Sequence, residues 1–536
     1  MHSNDPHHYP YSSRRTLSYA KNGMVATTQS QAAQAGLQIL QQGGNAVDAA
    51  VATAAALSVV EPTSNGIGGD AFALVWIKDK LHGLNASGPA PAALDIATLD
   101  ALGFDEIPLR GWLPVTVPGC PSAWATLNER FGALPLAHVM APAITLAEQG
   151  FVVSPTIAAQ WQKAMTKIAS LSDDVFDHWH ENFAPGGEAP RAGQVFTNVQ
   201  QAQTLREIAE TQGESFYRGA LAERIADFSA RSGGYLSLED LATYRAQWVD
   251  PISTNYKGYD VWEIPPNGQG LIALSALNII EQFPLAGRDD IDTLHRQIEA
   301  MKLAYSDGRA YIADPATMTE SVQGLLSKSY ACERAALIGE RARLPSPGKP
   351  KRSGTVYLAA ADNQGNMVSF IQSNYHDFGS AVVVPGTGIC LQNRGRSFSL
   401  KSGQANALAP GKKPLHTIIP GFISKQGQAL GAFGVMGGYM QPQGHMQVVM
   451  NMLDFGLNPQ AALDAPRWQW LEGNSISLEQ GIANATAQAL SAKGHQITID
   501  FDPTDFGRGQ IILRDPHSGV LSGGTEARAD GYIAAY

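Results

Sequence analysis

The sequence predicts an α/β (α+β) fold in which antiparallel sheets are packed between helical layers. Three observations predict it. Helical patterns dominate the chain from residue 31 to about residue 246, strand patterns cluster after Thr355, and short helices and strands mix towards the C-terminus. The 536 residues are 44% hydrophobic and 16% charged, enough for one large core or two fused lobes. No internal repeat is visible.

Taken in order, residues 24–28 read as a short apolar strand. Residues 31–42 read as a helix stopped by Gly43-Gly44, and residues 46–60 as a second, Ala-rich helix ended by Glu61-Pro62. The second is too short for a membrane span and carries Asp48, so it is expected to be a buried helix. Asn65-Gly66-Ile67-Gly68-Gly69-Asp70 then leads into a strand over residues 71–77. A dinucleotide fingerprint runs strand, glycine turn, helix; here the order is helix, turn, strand, which argues against it. A tight turn needing positive φ, or a wall of the active site, are the readings left open for these glycines.

Val117-Pro118-Gly119-Cys120-Pro121 breaks the chain before a helix over residues 122–130, and mostly helical patterns follow to residue 246. Residues 256–263 alternate as a strand. The sharp turn Pro265-Pro266-Asn267-Gly268-Gln269-Gly270 opens a helix over 271–282, and residues 295–310 form an amphipathic helix. Beyond Thr355, strands are expected at 381–384, 388–391, 418–423, 430–433, 475–478, 496–499 and 510–513, with helices at 447–455 and 459–464.

The net charge of −10 argues against nucleic acid and acidic membrane surfaces as partners. Cys120, Cys332 and Cys390 are odd in number and far apart, so neither a disulfide framework nor a metal site is expected from them, and a reducing compartment is. Arg14-Arg15 is followed by no hydrophobic run, which makes the cytoplasm the expected location. No His, Cys or carboxylate cluster has metal-ligand spacing, and neither metal nor cofactor is expected. His7-His8 lies in a polar stretch and is expected to be disordered rather than to ligate.

One stretch carries chemistry. The Pro-rich tract over residues 344–350 reads as an exposed loop, and Lys351-Arg352-Ser353-Gly354 leads into the apolar segment from Thr355 to Asp362. Asn363-Gln364-Gly365-Asn366 is a turn, and residues 367–373 form the returning strand. A Thr opening a strand is ordinary on propensity alone. Cleavage of the Gly354–Thr355 bond changes its meaning. The freed α-amine, with a pKa of about 7.7–8.0 in peptides, becomes a base carried by the nucleophile itself. Gly354 suits self-cleavage because a residue without Cβ lets the backbone bend for attack.

With these residues in view, the chain resembles the γ-glutamyltransferase family of N-terminal nucleophile hydrolases over nearly its whole length. The resemblance rests on Gly43-Gly44-Asn45-Ala46-Val47-Asp48-Ala49-Ala50, Glu61-Pro62, Gly66-Ile67-Gly68-Gly69, Glu299-Ala300-Met301-Lys302-Leu303-Ala304-Tyr305 with Asp307, and Asp454-Phe455-Gly456-Leu457. It implies a four-layer αββα sandwich made as one precursor, cleaved at Gly354–Thr355 into a large subunit, residues 1–354, and a small subunit, residues 355–536, that form one domain. It places the nucleophile at Thr355, near Asp362 and Gly365-Asn366, a supporting hydroxyl at Ser373, and the oxyanion-binding turn at Gly437 and Gly438. Backbone N–H groups of a Gly-Gly turn reach an oxyanion without side-chain obstruction.

Departures from the family pattern shape the substrate expectation. The loop that carries a glutamyl-reading Arg in the family is Asn85-Ala86-Ser87-Gly88 here. Tyr375 stands for an Asn, Ser397 for the Asp that holds the substrate amine, and His416-Thr417 for a pair of serines. Arg394, after Asn393, replaces a neutral amide, and its fork fits a carboxylate beside the scissile carbonyl; Arg396 is the fallback. Arg394, Tyr375, Asn393, His416 and Thr417 are therefore the expected substrate-binding residues. His376 and His445 are candidates to line or support the site. The expected reaction is hydrolysis of a small carboxylate-bearing amide, oxamate above others. γ-Glutamyl transfer or hydrolysis and acylase activity are the runners-up, and a catalytically inactive binding relative is the alternative from another class. The expected partners are the small-molecule amide and the two subunits of one precursor, with a dimer of such heterodimers as the assembly to test.

Overall fold

The computed structural model describes residues 15–345 and 354–536. His7, His8, Arg14, most of the Pro-rich tract and Lys351, Arg352 and Ser353 lie outside the described residues.

Two seven-stranded sheets form the centre. In spatial order the first contains Ser18–Ala20, Leu521–Thr525, Arg508–Arg514, Gln428–Met436, Gly421–Lys425, Tyr259–Glu263 and Ile252–Tyr256. The second contains Tyr532–Ala535, Gly23–Thr27, Gly354–Asp362, Met367–Tyr375, Asp70–Ile77, Lys80–Ala86 and Gln247–Val249. Every pairing within them is antiparallel.

The strand Gly354–Asp362 shows why the sequence reads as continuously apolar there. Tyr357, Ala359 and Ala361 enter the core between the two sheets, with Phe72, Phe422 and Ile512. Val356, Leu358 and Ala360 enter the core on the opposite face, with the helices. Both faces are buried, so the period-2 alternation of side chains is not an alternation of polarity. On that outer face lie Ser30–Gln41, Ala46–Val60, Cys120–Phe131 and Leu136–Gln149. Gly270–Ile280, Ile291–Tyr311 and Gln441–Leu453 cover the outer face of the first sheet. The architecture is the four-layer αββα sandwich.

Helix Ala46–Val60 is buried all round. Asn45 accepts from Val47 N and Asp48 N, and Asp48 returns a bond to Asn45 N, a complete capping box. Asp362 reaches the same helix start: its Oδ2 accepts from Ala46 N at 2.9 Å, while Oδ1 accepts from Gln364 N and Asn366 N at 2.9 and 3.0 Å. One carboxylate thus closes the hairpin turn after Thr355 and ties it to the helical layer.

Several expected elements differ. Residues 256–263 are not one strand: Lys257 and Gly258 take positive φ, 53° and 83°, and turn two strands into a hairpin. The expected strands at 381–384 and 388–391 shrink to the pair Val383–Val384 and Ile389–Cys390. The helix expected at 447–455 is Gln441–Leu453, because polar Gln441, Gln443 and His445 are buried rather than exposed. Among the described residues, no helix is long and apolar enough to cross a membrane.

Candidate active site

Thr355 lies at a register break between the paired strands Gly354–Asp362 and Met367–Tyr375: Gly354 faces Tyr375, while Val356 faces Gln372. Such a break re-aims a side chain out of the ladder. The Thr355 hydroxyl is fully buried and donates to Ser373 Oγ at 3.2 Å. Gln441 Nε2 donates to Thr355 Oγ1 at 3.4 Å. Ser373 Oγ also accepts from Tyr375 N at 2.8 Å and Arg394 Nη2 at 3.4 Å. Two hydroxyls, an amide and a guanidinium therefore meet at one point.

Arg394 is fully buried. Its guanidinium lies 4.1 Å from the centre of the Tyr375 ring, and Nη1 donates to Thr417 Oγ1 at 2.7 Å. Burial lowers its pKa to about 10, so it stays a cation at neutral pH. Tyr375 takes φ 78°, which turns the chain at the strand end and puts its ring beneath the arginine. Arg396 goes elsewhere and pairs with Glu106 at 2.6 Å. Of the two arginines, Arg394 lies beside the Thr355 and Ser373 hydroxyls.

His416 does not open onto the hydroxyls. Its Nδ1 accepts from Ile418 N at 3.3 Å, which leaves Nε2–H to donate to Asp70 Oδ2 at 3.0 Å. Asp70 also accepts from Gln392 Nε2 at 2.9 Å and Gly88 N at 3.3 Å. Burial pushes its carboxyl up to about 7, against the pull of Arg394 and these donors. Asn393 shapes the loop: its Oδ1 accepts from His376 N and its Nδ2 donates to Leu109 O. His376 meets the Tyr375 ring edge-on with ring centres 4.2 Å apart, and burial lowers its pKa to about 3, which keeps it neutral.

Gly437 and Gly438 form the turn at the end of strand Gln428–Met436, with φ 135° and 59°. Two glutamines connect this turn to the hydroxyls. Gln269 donates to both Gly438 O at 2.8 Å and Thr417 O at 2.6 Å. Gln441, just beyond the turn, accepts from Ile419 N while it faces Thr355. His445 supports the same strand: Nε2 accepts from Val435 N at 3.0 Å, and Nδ1 bonds Glu263 Oε1 at 2.6 Å.

The loop before Asp70 walls the site, but not through positive φ. Gly66, Gly68 and Gly69 do not take left-handed angles. A Cβ on Gly68 would stand 2.3 Å from Cys390 O, and one on Gly69 2.7 Å from Ser373 O. Close approach of backbone to backbone requires these glycines.

Sequence reasoning missed Asp70, Gln269 and Gln441 as members of the site. Gln269 had a signal, its place in the sharp turn that opens helix Gly270–Ile280. It also missed one group of metal-ligand types: His295, Glu299 and His495 lie within 4.8 Å of one another. Glu299 Oε1 already holds buried Lys302 Nζ at 2.6 Å, and His295 Nδ1 faces His495 Nε2 at 2.8 Å. A metal ion there would confront a buried ammonium, so these residues do not suit one.

The family model described as gamma-glutamyltranspeptidase matches residues 32–536. The chain belongs to the gamma-glutamyltranspeptidase family. Among its members, the glutathione hydrolase-like YwrD proenzyme of Bacillus subtilis is 37% identical over 518 residues, covering 95% of this chain and 97% of its own. The oxamate amidohydrolase proenzyme of Klebsiella pneumoniae is also 37% identical, over 534 residues, covering 96% and 98%. The crystal structure of a cephalosporin acylase from Bacillus halodurans superposes with a TM-score of 0.97 at 60% identity, covering 99% of both chains.

Proposed function

We propose that this family member is a self-processing Thr-nucleophile amidohydrolase acting on linear amides whose acyl group carries a carboxylate, with oxamate as the simplest such substrate. The observation that carries the reading is the contact of Arg394 Nη2 with the same Ser373 hydroxyl that accepts a hydrogen bond from the Thr355 hydroxyl. A cation so close to the nucleophile fits a carboxylate attached directly to the scissile carbonyl. The groups that read a glutamyl moiety in the family are replaced. Asn85 bonds Ser87 and Asn267 in a closed polar cluster, and the Ser397 hydroxyl donates to Arg394 O and Leu415 O.

In the first stage Thr355 Oγ attacks the Gly354 carbonyl, the acyl group shifts from nitrogen to oxygen, and water hydrolyses the ester. This frees the Thr355 α-amine and divides the chain into residues 1–354 and 355–536. In the second stage the α-amine takes the hydroxyl proton as Oγ attacks the substrate carbonyl. Ser373 orients the oxygen, and the N–H groups of Gly437 and Gly438 are the proposed oxyanion hole. The proton passes to the departing amine, and water then releases the acyl group from Thr355. The proposed substrate contacts are Arg394, Tyr375 and Thr417; Asn393 and His416 shape the pocket from behind.

The test combines a denaturing gel with ammonia release from a panel of small amides. Wild-type protein should run as two pieces and release ammonia from oxamate, while Thr355→Ala should remain one inactive chain. A single uncut chain with full activity would sink the mechanism; two pieces inert towards oxamate but active on a larger acyl amide would select a second reading, acylase activity. That reading is favoured by the 60% identity to the cephalosporin acylase of Bacillus halodurans.

A further inference from the structure

Three buried glutamines lie on helix Gln441–Leu453, and two of them serve the framework. Gln443 donates to Tyr439 O and Trp470 O and accepts from Trp470 N. Gln447 donates to Gln443 O and Trp468 O and accepts from Trp468 N. These partners are all backbone groups, and they tie the helix to strand Trp468–Glu472. Gln441 shares the acceptor habit but has a different donor partner. Its Oε1 accepts from Ile419 N at 2.9 Å, and its Nε2 donates to the Thr355 hydroxyl oxygen at 3.4 Å. Both Gln441 and Thr355 are fully buried.

The amide cannot sit the other way round. Ile419 N–H is a donor, so the carbonyl end must face it, and a flipped amide would set NH2 against N–H. The donor end therefore faces Thr355, whose hydroxyl accepts from Gln441 and donates to Ser373 Oγ at 3.2 Å. The backbone holds Gln441 in reach. Met440 N bonds Gly437 O across the glycine turn, and Pro442 sits in the first turn of the helix, where its fixed φ suits a helix start. Ile419 lies two residues beyond Thr417, whose hydroxyl accepts from Arg394. One amide thus joins the Thr355 oxygen to the segment that carries a contact of Arg394.

We propose that Gln441 is a catalytic hydrogen-bond donor to Thr355 Oγ, acting in self-cleavage as well as in turnover. This rests on the reading in which Thr355 is the nucleophile. As Oγ attacks, its O–H bond breaks, an O–C bond forms and the proton passes to the Thr355 nitrogen. That nitrogen is the departing group in self-cleavage and the α-amine base in turnover. Gln441 neither gains nor loses a proton; it donates to the oxygen while that oxygen carries negative charge, and it directs the hydroxyl proton away from itself. A neutral oxygen holds such a donor loosely, and the bond tightens as charge gathers. A consequence sets Gln441 apart from Arg394. Arg394 acts on the substrate, so its loss spares self-cleavage; Gln441 acts on the nucleophile, so its loss slows both reactions.

Gln441→Glu is the main test, because its carboxylate keeps an acceptor for Ile419 N and removes the donor to Thr355. Self-cleavage of freshly synthesised precursor, followed by intact mass, should slow about 10- to 100-fold. In processed protein kcat on oxamate should fall by a similar factor, with KM within about twofold and Tm unchanged. The ratio of variant to wild-type kcat should rise as pH falls, since a protonated carboxyl can donate to Oγ again. Gln441→Met, which loses both bonds, should cleave slowly at every pH. A readout apart from both reactions separates this role from the amidohydrolase reading. In Thr355→Cys the new thiolate, followed by its ultraviolet absorbance against wild type, should form about one pH unit higher when Gln441→Met is added, the worth of one hydrogen bond. That shift without hydrolysis of any amide would keep the donor and remove the amidohydrolase. Wild-type self-cleavage and kcat in Gln441→Glu, a loss confined to KM, a kcat ratio flat with pH, or an unshifted thiolate would each overturn the role.

Discussion

Two buried charge clusters in this enzyme are built to opposite rules. In the first, Glu526 lies between Arg467 and Arg528, at 2.8 and 2.7 Å, and accepts a further bond from Gly509 N. Burial pushes the Glu526 carboxyl up, but the two arginines and the Gly509 N–H outweigh it and hold it at about 2. In the second, around Thr355, Arg394 donates hydrogen bonds only to the hydroxyls of Thr417 and Ser373, its Nε has no acceptor, and buried Asp70 is pushed up to about 7. The first cluster is closed and can only hold the fold. The second leaves the Arg394 Nε without an acceptor and holds a carboxyl far from its ordinary pKa, features that candidate functional sites share.

The largest effect expected from breaking this contrast is on the closed cluster. Glu526→Gln removes the charge shared by two buried arginines. Chemical denaturation should show a loss of about 3–5 kcal/mol, since it leaves uncompensated buried cations. A change below the reproducibility of the experiment would show that the cluster is not what closes this end of the sandwich.

The second effect should appear in catalysis and leave the fold alone. Arg394→Ala should raise KM for oxamate about 10- to 100-fold, the worth of hydrogen bonds to a charged group, with Tm little changed and self-cleavage intact. Arg396→Ala, which loses only its partner Glu106, should behave as wild type. Steady-state kinetics on both variants decides; near-wild-type kcat/KM in Arg394→Ala would remove the carboxylate-binding role.

The third is smaller and separates positioning from binding. Ser373→Ala should lower kcat roughly 10- to 100-fold with KM kept if, as proposed, Ser373 orients the Thr355 oxygen rather than holding substrate. Unchanged turnover in fully processed Ser373→Ala would reduce Ser373 to an ordinary strand residue.

How much of this was legible in the sequence follows the same division. Helix Ala46–Val60 was legible because its apolar run, its Asn45 cap and the following Glu61-Pro62 agree locally. The Thr355 hairpin was legible because a Gly-containing turn separates two apolar runs. The strand Lys80–Ala86 was not, since Lys80, His82 and Asn85 interrupt its apolar pattern, and its neighbours in the sheet fix it. Nor were Leu521–Thr525 and Tyr532–Ala535, which pair with strands at the other end of the chain. Arg394 stood out in the sequence as a substitution against a family pattern, and it lies beside Ser373 and Thr417.

The finest test is a pH dependence of opposite sign in the two clusters. Glu526 is held below its ordinary 4.5, so the stability it contributes is complete above that value and is lost as pH falls towards about 2. Asp70 is raised from 3.8 to about 7, so its contribution is complete below 3.8 and is lost as pH rises through about 7. The consequence at the site has a sign too. Below about 7 Asp70 is neutral and Arg394 presents its full positive charge to a carboxylate; above it, the new negative charge competes with the substrate. KM for oxamate should therefore rise several-fold, on the order of the 1 kcal/mol range of a screened charge pair, between about pH 6 and pH 8. On the proposed reading the freed Thr355 α-amine, a group with a pKa of about 7.7–8.0 in peptides, is the base and should move kcat rather than KM, which distinguishes the two groups. Asp70→Asn should flatten the KM profile while the kcat profile keeps its shape. A KM that rises with pH just as steeply in Asp70→Asn would show that another group sets the charge facing Arg394.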